Sequence, residues 1–184
     1  QAATLLFICG GLALSALYQG VVSTIWAFTL GFLTMAVILL VIAGEGPAMA
    51  DLKKRTAELG LQQSVLFIGY LDRKQALPDC YAAADVFVFS SRTETQGLVL
   101  LEAMAMGRAV ITTDAPGCRE TVVDGDNGYL VAVKSADELA QAMLRLIENP
   151  ELIAAMGQRS REIALNKYDV HQVNKHMMTE MGML

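Results

Sequence analysis

The first 44 residues contain no Asp, Glu, Lys or Arg. All 14 basic and 19 acidic side chains of the 184-residue chain fall in 45–184. This leaves a net charge of −5, the wrong sign for a nucleic-acid partner, which calls for a basic patch. Cysteine is scarce: Cys9, Cys80 and Cys118 are scattered, and no two have metal-ligand spacing. The expectation is therefore a reducing compartment and no protein-bound metal. The two histidines, His171 and His176, do not share a helix face and read as surface residues. The basic n-region and cleavage site of a signal peptide are missing too. There is no internal repeat, low-complexity tract or long linker. The first residue is not Met, so the chain reads as a piece of a longer protein.

The uncharged block 1–43 has two readings. In the first it meets a membrane. Val21 to Ala43 is broken only by Ser23, Thr24, Thr29 and Thr34, and at about 1.5 Å per residue it spans a hydrocarbon core of about 30 Å. Ala2 to Tyr18 is a second uncharged run, with Gln19-Gly20 as a turn between the two. Lys53, Lys54 and Arg55 then favour a cytoplasmic side. In the second reading Thr4–Ile8 and Ile38–Gly44 are strands buried on both faces, which read as continuous apolar runs. The helix between them would need a polar face and offers only hydroxyls. Both readings stay open at this stage.

From Glu45 onward the chain alternates. Helical patterns cover Ala48–Leu59, Arg73–Ala84, Leu98–Met106, Ala136–Glu148, Pro150–Lys167 and Val170–Met183. Strand patterns cover Val65–Tyr70, Asp85–Phe89, Ala109–Thr113 and Tyr129–Val131. Pro116–Val123 reads as a turn into a short helix, and Asp124-Gly125-Asp126-Asn127-Gly128 as a tight turn. This alternation predicts an α/β fold, a Rossmann-like, doubly wound parallel sheet, over 44–184, with the long terminal helices as a cover. Met104, Met106, Met143 and Met156 fall within the helical patterns and are expected in the core or an interface.

One stretch carries chemistry. Asp85–Phe89 leads into Ser90-Ser91-Arg92-Thr93-Glu94-Thr95-Gln96-Gly97, and a helix starts at Leu98. Glu94 lies in the turn, and Glu102 follows about two helical turns later. A glycine lets the backbone approach a ligand, and a helix N-terminus offers unpaired N–H groups to an anion. A carboxylate is a strong acceptor for a pair of hydroxyls. The plainer alternative is that Glu94 merely suits the helix dipole and Glu102 sits on a solvated face.

Four segments in order bear a resemblance. They are Leu40–Pro47, Tyr81–Val88, the frame Glu94…Gly97-Leu98…Leu101-Glu102-Ala103-Met104-Ala105…Gly107, and Asp124-Gly125…Asn127-Gly128-Tyr129-Leu130-Val131. Together they resemble the donor-binding, C-terminal half of family-4, or group-1, GT-B glycosyltransferases, over about residues 38–184. Thr93–Leu98 is similar to bacterial enzymes that glycosylate membrane lipids, and Gly117–Thr121 to enzymes of capsule or O-antigen assembly.

The resemblance implies transfer of a sugar, with retention, from a UDP- or GDP-sugar to a lipid or glycan acceptor, with no metal or cofactor required. It implies that Glu94, the catalytic candidate, contacts the donor sugar and that Glu102 holds the ribose. Gly97 and Leu98 would offer N–H groups to the diphosphate, and Tyr70 and Leu71 would border the base. It further implies a separate N-terminal acceptor domain and a place in the cytoplasm or on the cytoplasmic face of a membrane. Family members carry an Arg and a Lys after the first strand, whereas Cys9–Gly20 has no cation. A binding module without turnover and a membrane-anchored truncated fragment are therefore the alternative readings.

Overall fold

A computed structural model of the chain describes Leu5–Cys9, as backbone, and residues 39–183. The elements run β1 (Leu5–Cys9), β2 (Leu39–Ala43), α1 (Met49–Glu58), β3 (Val65–Gly69), α2 (Ala76–Ala83), β4 (Val86–Phe89), α3 (Leu98–Ala105), β5 (Ala109–Thr113), α4 (Pro116–Arg119), β6 (Gly128–Val131), α5 (Ala136–Glu148), α6 (Pro150–Lys167) and α7 (Val170–Glu180). The six strands form one parallel sheet in the order β3-β2-β1-β4-β5-β6. This is the doubly wound order of dinucleotide-binding folds. Its crevice opens at the carboxyl ends of β1 and β4, where the direction of winding reverses.

β4 shows why these residues make a central strand. Its four side chains are apolar and all are buried. Side chains on a strand alternate between faces. Val86 and Val88 join a cluster with Leu40, Ile42, Ile111, Leu139 and Leu146. Phe87 and Phe89 join another with Tyr81, Leu100, Met104 and Val110. One layer of helices covers each face. Met104, Met143 and Met156 are buried as expected, and Met106 is partly buried.

β1 and β2 pair in parallel from Leu5↔Leu39 to Cys9↔Ala43. The end of the apolar run Val21–Ala43 is therefore strand. Among the described residues no helix is long and apolar enough to cross a membrane. A membrane helix, or a helix covering the sheet, would involve residues 10–38, which lie outside the described residues.

Two helix boundaries shift by three residues from the sequence pattern. α2 starts at Ala76 rather than Arg73, because Asp72 holds a turn there: its carboxylate accepts from the N–H groups of Lys74 and Gln75, both at 3.0 Å. Pro78 thus falls in the first turn of α2, where a missing N–H does no harm. α7 ends at Glu180, before Met183, and none of its side chains is buried. α5 keeps its expected bounds, and the Ser135 hydroxyl accepts from the Glu138 N–H at 3.3 Å as its N-cap.

Candidate functional site

The turn after β4 is held from outside itself. Thr112 Oγ1 donates to the Phe89 carbonyl at 2.8 Å, and Thr113 Oγ1 donates to that of Ser91. The Gly117 N–H donates to the Glu94 carbonyl at 3.0 Å. Gly117 is a glycine for a steric reason: a Cβ there would lie 2.7 Å from the Thr95 carbonyl carbon and 2.8 Å from the Glu94 oxygen. Gly97 has φ +65°, in the left-handed region, and a Cβ on it would stand 3.0 Å from the Gly117 oxygen. The β5–α4 corner therefore clamps the turn that carries Glu94.

Glu94 uses its two oxygens differently. Oε1 accepts from the N–H groups of Thr95, Gln96 and Gly97 at 3.0, 3.1 and 3.0 Å. Oε2 accepts no hydrogen bond among the described residues. Partial burial pushes the Glu94 carboxyl upward, but the three backbone donors, Gly97 first, together hold it below the usual carboxylate range. The group is therefore an ionised acceptor in a fixed orientation. It does suit the start of α3, as the plainer reading held, and it leaves one oxygen for a ligand. Nearby, burial pushes the Cys118 thiol up and the Glu94 charge adds to that, while the contact between its sulfur and the Thr112 hydroxyl opposes them. Cys118 is an inert core thiol.

Glu102 lies farther along α3. Its Oε2 accepts from the Tyr81 hydroxyl at 3.1 Å, and its Oε1 stands 3.7 Å from an Arg73 guanidinium nitrogen. Its side chain is 37% exposed, so it is neither freely solvated nor buried.

Of the other expected residues, Leu98 is exposed at the start of α3, and its N–H has no partner among the described residues. The Gly97 N–H is already engaged by Glu94, which leaves Leu98 as the open donor of that pair. Tyr70 and Leu71 follow β3, which β2 and β1 separate from β4. Tyr70 is 72% exposed, while Leu71 packs against the Phe87 cluster. The same loop reaches Glu102 through Arg73, so the fold brings the loop after β3 against α3.

Sequence reasoning missed Tyr81, Arg73, Gly117 and Ser90. Tyr81 belongs to the quoted run Tyr81–Val88, but nothing local marks its hydroxyl as facing Glu102. The Ser90 hydroxyl, just after β4, is buried without a hydrogen-bond partner among the described residues.

Several residues stand apart from the site. His171 and His176 are exposed on α7. Arg119 pairs with Asp114, and Asp126 with Arg159 at 2.9 Å. Asp124 accepts from the Leu130 N–H, closing the tight turn. The site as a whole offers two carboxylates and an open helix N-terminus at the carboxyl end of a parallel sheet. Those groups suit a ligand that is both polyhydroxylated and anionic.

The model of the family "Glycosyl transferases group 1" matches residues 21–163. The chain is 33% identical over 130 residues to the alpha-D-kanosaminyltransferase of Streptomyces kanamyceticus, covering 71% of this chain and 33% of that protein. It is 35% identical over 136 residues to a GDP-mannose-dependent phosphatidylinositol monomannoside mannosyltransferase of Mycolicibacterium smegmatis, covering 70% and 35%. The chain thus spans about a third of the length of these relatives. Among solved structures, the C-terminal domain of a group 1 glycosyl transferase from Francisella tularensis superposes with a TM-score of 0.78 at 27% identity, covering 91% of this chain and 87% of that domain. Anabaena HepE, crystallised with UDP and glucose, superposes with a TM-score of 0.79 at 22% identity, covering 99% and 49%. The latter likeness is one of fold.

Proposed function

The chain belongs to the group 1 glycosyl transferases, and on that premise we propose that it is the donor-binding half of a retaining transferase that uses a nucleotide-diphosphate sugar. The observation that carries this reading is the state of Glu94. Three backbone N–H groups fix one of its oxygens, the other is open, and Glu102 follows on the helix that starts beside it.

In this reading Glu94 Oε2 accepts from hydroxyls of the donor sugar, and Glu102 accepts from the ribose. The diphosphate lies at the N-terminus of α3, where the Leu98 N–H and the positive end of the helix dipole oppose its charge. During transfer the bond from the anomeric carbon to the diphosphate oxygen breaks, the acceptor hydroxyl takes its place on the same face, and its proton passes to the departing diphosphate. Negative charge develops on the leaving diphosphate, where prearranged donors lower the barrier most. Tyr70 and Leu71 border the base. The acceptor, a lipid or glycan, is bound by a separate domain. Relatives named for phosphatidylinositol monomannoside and for poly(ribitol-phosphate) support an acceptor of that kind.

Titration with UDP-, GDP- and ADP-sugars tests the donor site. One nucleotide class is expected to bind, and Glu94→Ala and Glu102→Ala are each expected to weaken it about tenfold or more, as for lost hydrogen bonds to a charged group. Absence of binding by all three, or unchanged affinity in both variants, removes the reading. The lack of any cation in Cys9–Gly20 favours a second reading, donor binding without turnover. Release of nucleoside diphosphate with transfer of the sugar to an acceptor, assayed with a supplied acceptor domain, separates the two.

A further inference from the structure

We propose that Tyr81 is a positioning residue for the nucleoside: its buried hydroxyl fixes the Glu102 carboxylate in the one orientation that receives the ribose. The proposal rests on the reading of Glu102 as the ribose acceptor. Tyr81 lies on α2 and is 2% exposed. Its ring meets Phe87 edge-on, with centroids 5.3 Å apart at 72°, and Phe87 stacks on Phe89. The phenol is therefore held by the sheet and not by solvent. Its hydroxyl emerges from this apolar cluster at Glu102 Oε2, 3.1 Å away on the neighbouring helix.

A glutamate one-third exposed on a helix would otherwise sample many rotamers, and ordering it on binding costs free energy. A hydrogen bond to an ionised acceptor is stronger than one between neutral groups, and it selects one rotamer in advance. Each carboxylate oxygen can accept from two directions, so Oε2 keeps a free lone pair. Oε1 faces Arg73 instead, at 3.7 Å, and that side chain is 69% exposed. Such an open ion pair is weak and yields readily to a ligand. Glu102 thus has a fixed side, at Tyr81, and a displaceable side, at Arg73.

The test compares Tyr81→Phe, which keeps the ring and its packing, with the native chain. The probes are UDP, GDP and ADP and their 2′,3′-dideoxyribose counterparts, titrated by calorimetry. Tyr81→Phe is expected to weaken binding of the ribose form about tenfold, the lower end for a hydrogen bond to a charged group, and to leave the dideoxy form unchanged. A purely structural tyrosine would weaken both forms alike, and an idle one neither; each result overturns the proposal. Glu102→Gln in the same titration separates this failure from that of the premise. If the native preference for ribose over dideoxyribose survives Glu102→Gln, or if no nucleotide binds the native chain, the ribose reading is wrong and the proposal falls with it. If Glu102→Gln abolishes the preference and Tyr81→Phe does not, Glu102 holds the ribose without help from Tyr81.

Discussion

Glu94 is held ionised by three backbone donors, and this links the site to pH. Its folded pKa lies below the ordinary value of 4.5, so the unfolded chain takes up the proton first as pH falls. The stabilisation from the charged form is present in full above that value and is lost as pH drops through the folded pKa. Glu94→Gln is therefore expected to be less stable than the native chain at neutral pH, with the gap closing below pH 4.5. Urea unfolding at a series of pH values checks this, and a gap that does not vary with pH contradicts it. At this scale the sequence exposed Glu94 and Glu102, because a charged residue in a glycine turn and another on the helix beyond it form a local pattern. It did not expose Tyr81, whose partner lies 21 residues away and is met only once α2 packs beside α3.

At the scale of elements, the turn between β4 and α3 borrows its shape from α4. A side chain at position 117 has no room beside Thr95 and Glu94. Gly117→Ala is expected to destabilise the fold by about 1–3 kcal/mol, the usual range for overpacking, and to weaken nucleotide binding by displacing Glu94. Denaturation and titration of the same variant measure both effects, and an alanine tolerated in both would mean that the corner is looser than drawn. Most elements were legible from their patterns. β5 and α5 have the expected bounds, since an apolar run and an amphipathic run with a serine cap are unambiguous locally. The start of α2 was not legible, because the Asp72 side chain competes with the helix for the same N–H groups.

For the whole molecule, donor binding and stability are linked. A ligand present at about a hundred times its dissociation constant adds about 2.7 kcal/mol to the folded state. For a chain of this length that corresponds to a rise in melting temperature of roughly 5–10 °C. A thermal scan with and without the nucleotide that binds reads this directly, and an unmoved midpoint at saturation argues against a site in the folded state. The same scan on Glu94→Ala and Glu102→Ala should show a smaller rise.

The sequence by itself determined the alternation of strand and helix, the apolar character of the central strands and the carboxylate frame around Gly97. Each depends on side-chain period or turn chemistry within a few residues. The tertiary structure alone decided that β1 lies between β2 and β4, that Gly117 closes on Glu94, and that Tyr81 and Arg73 meet different oxygens of Glu102. Those contacts join segments far apart in the chain. They arise because apolar faces must be buried against one another, and only that packing fixes where the polar ends of buried side chains emerge.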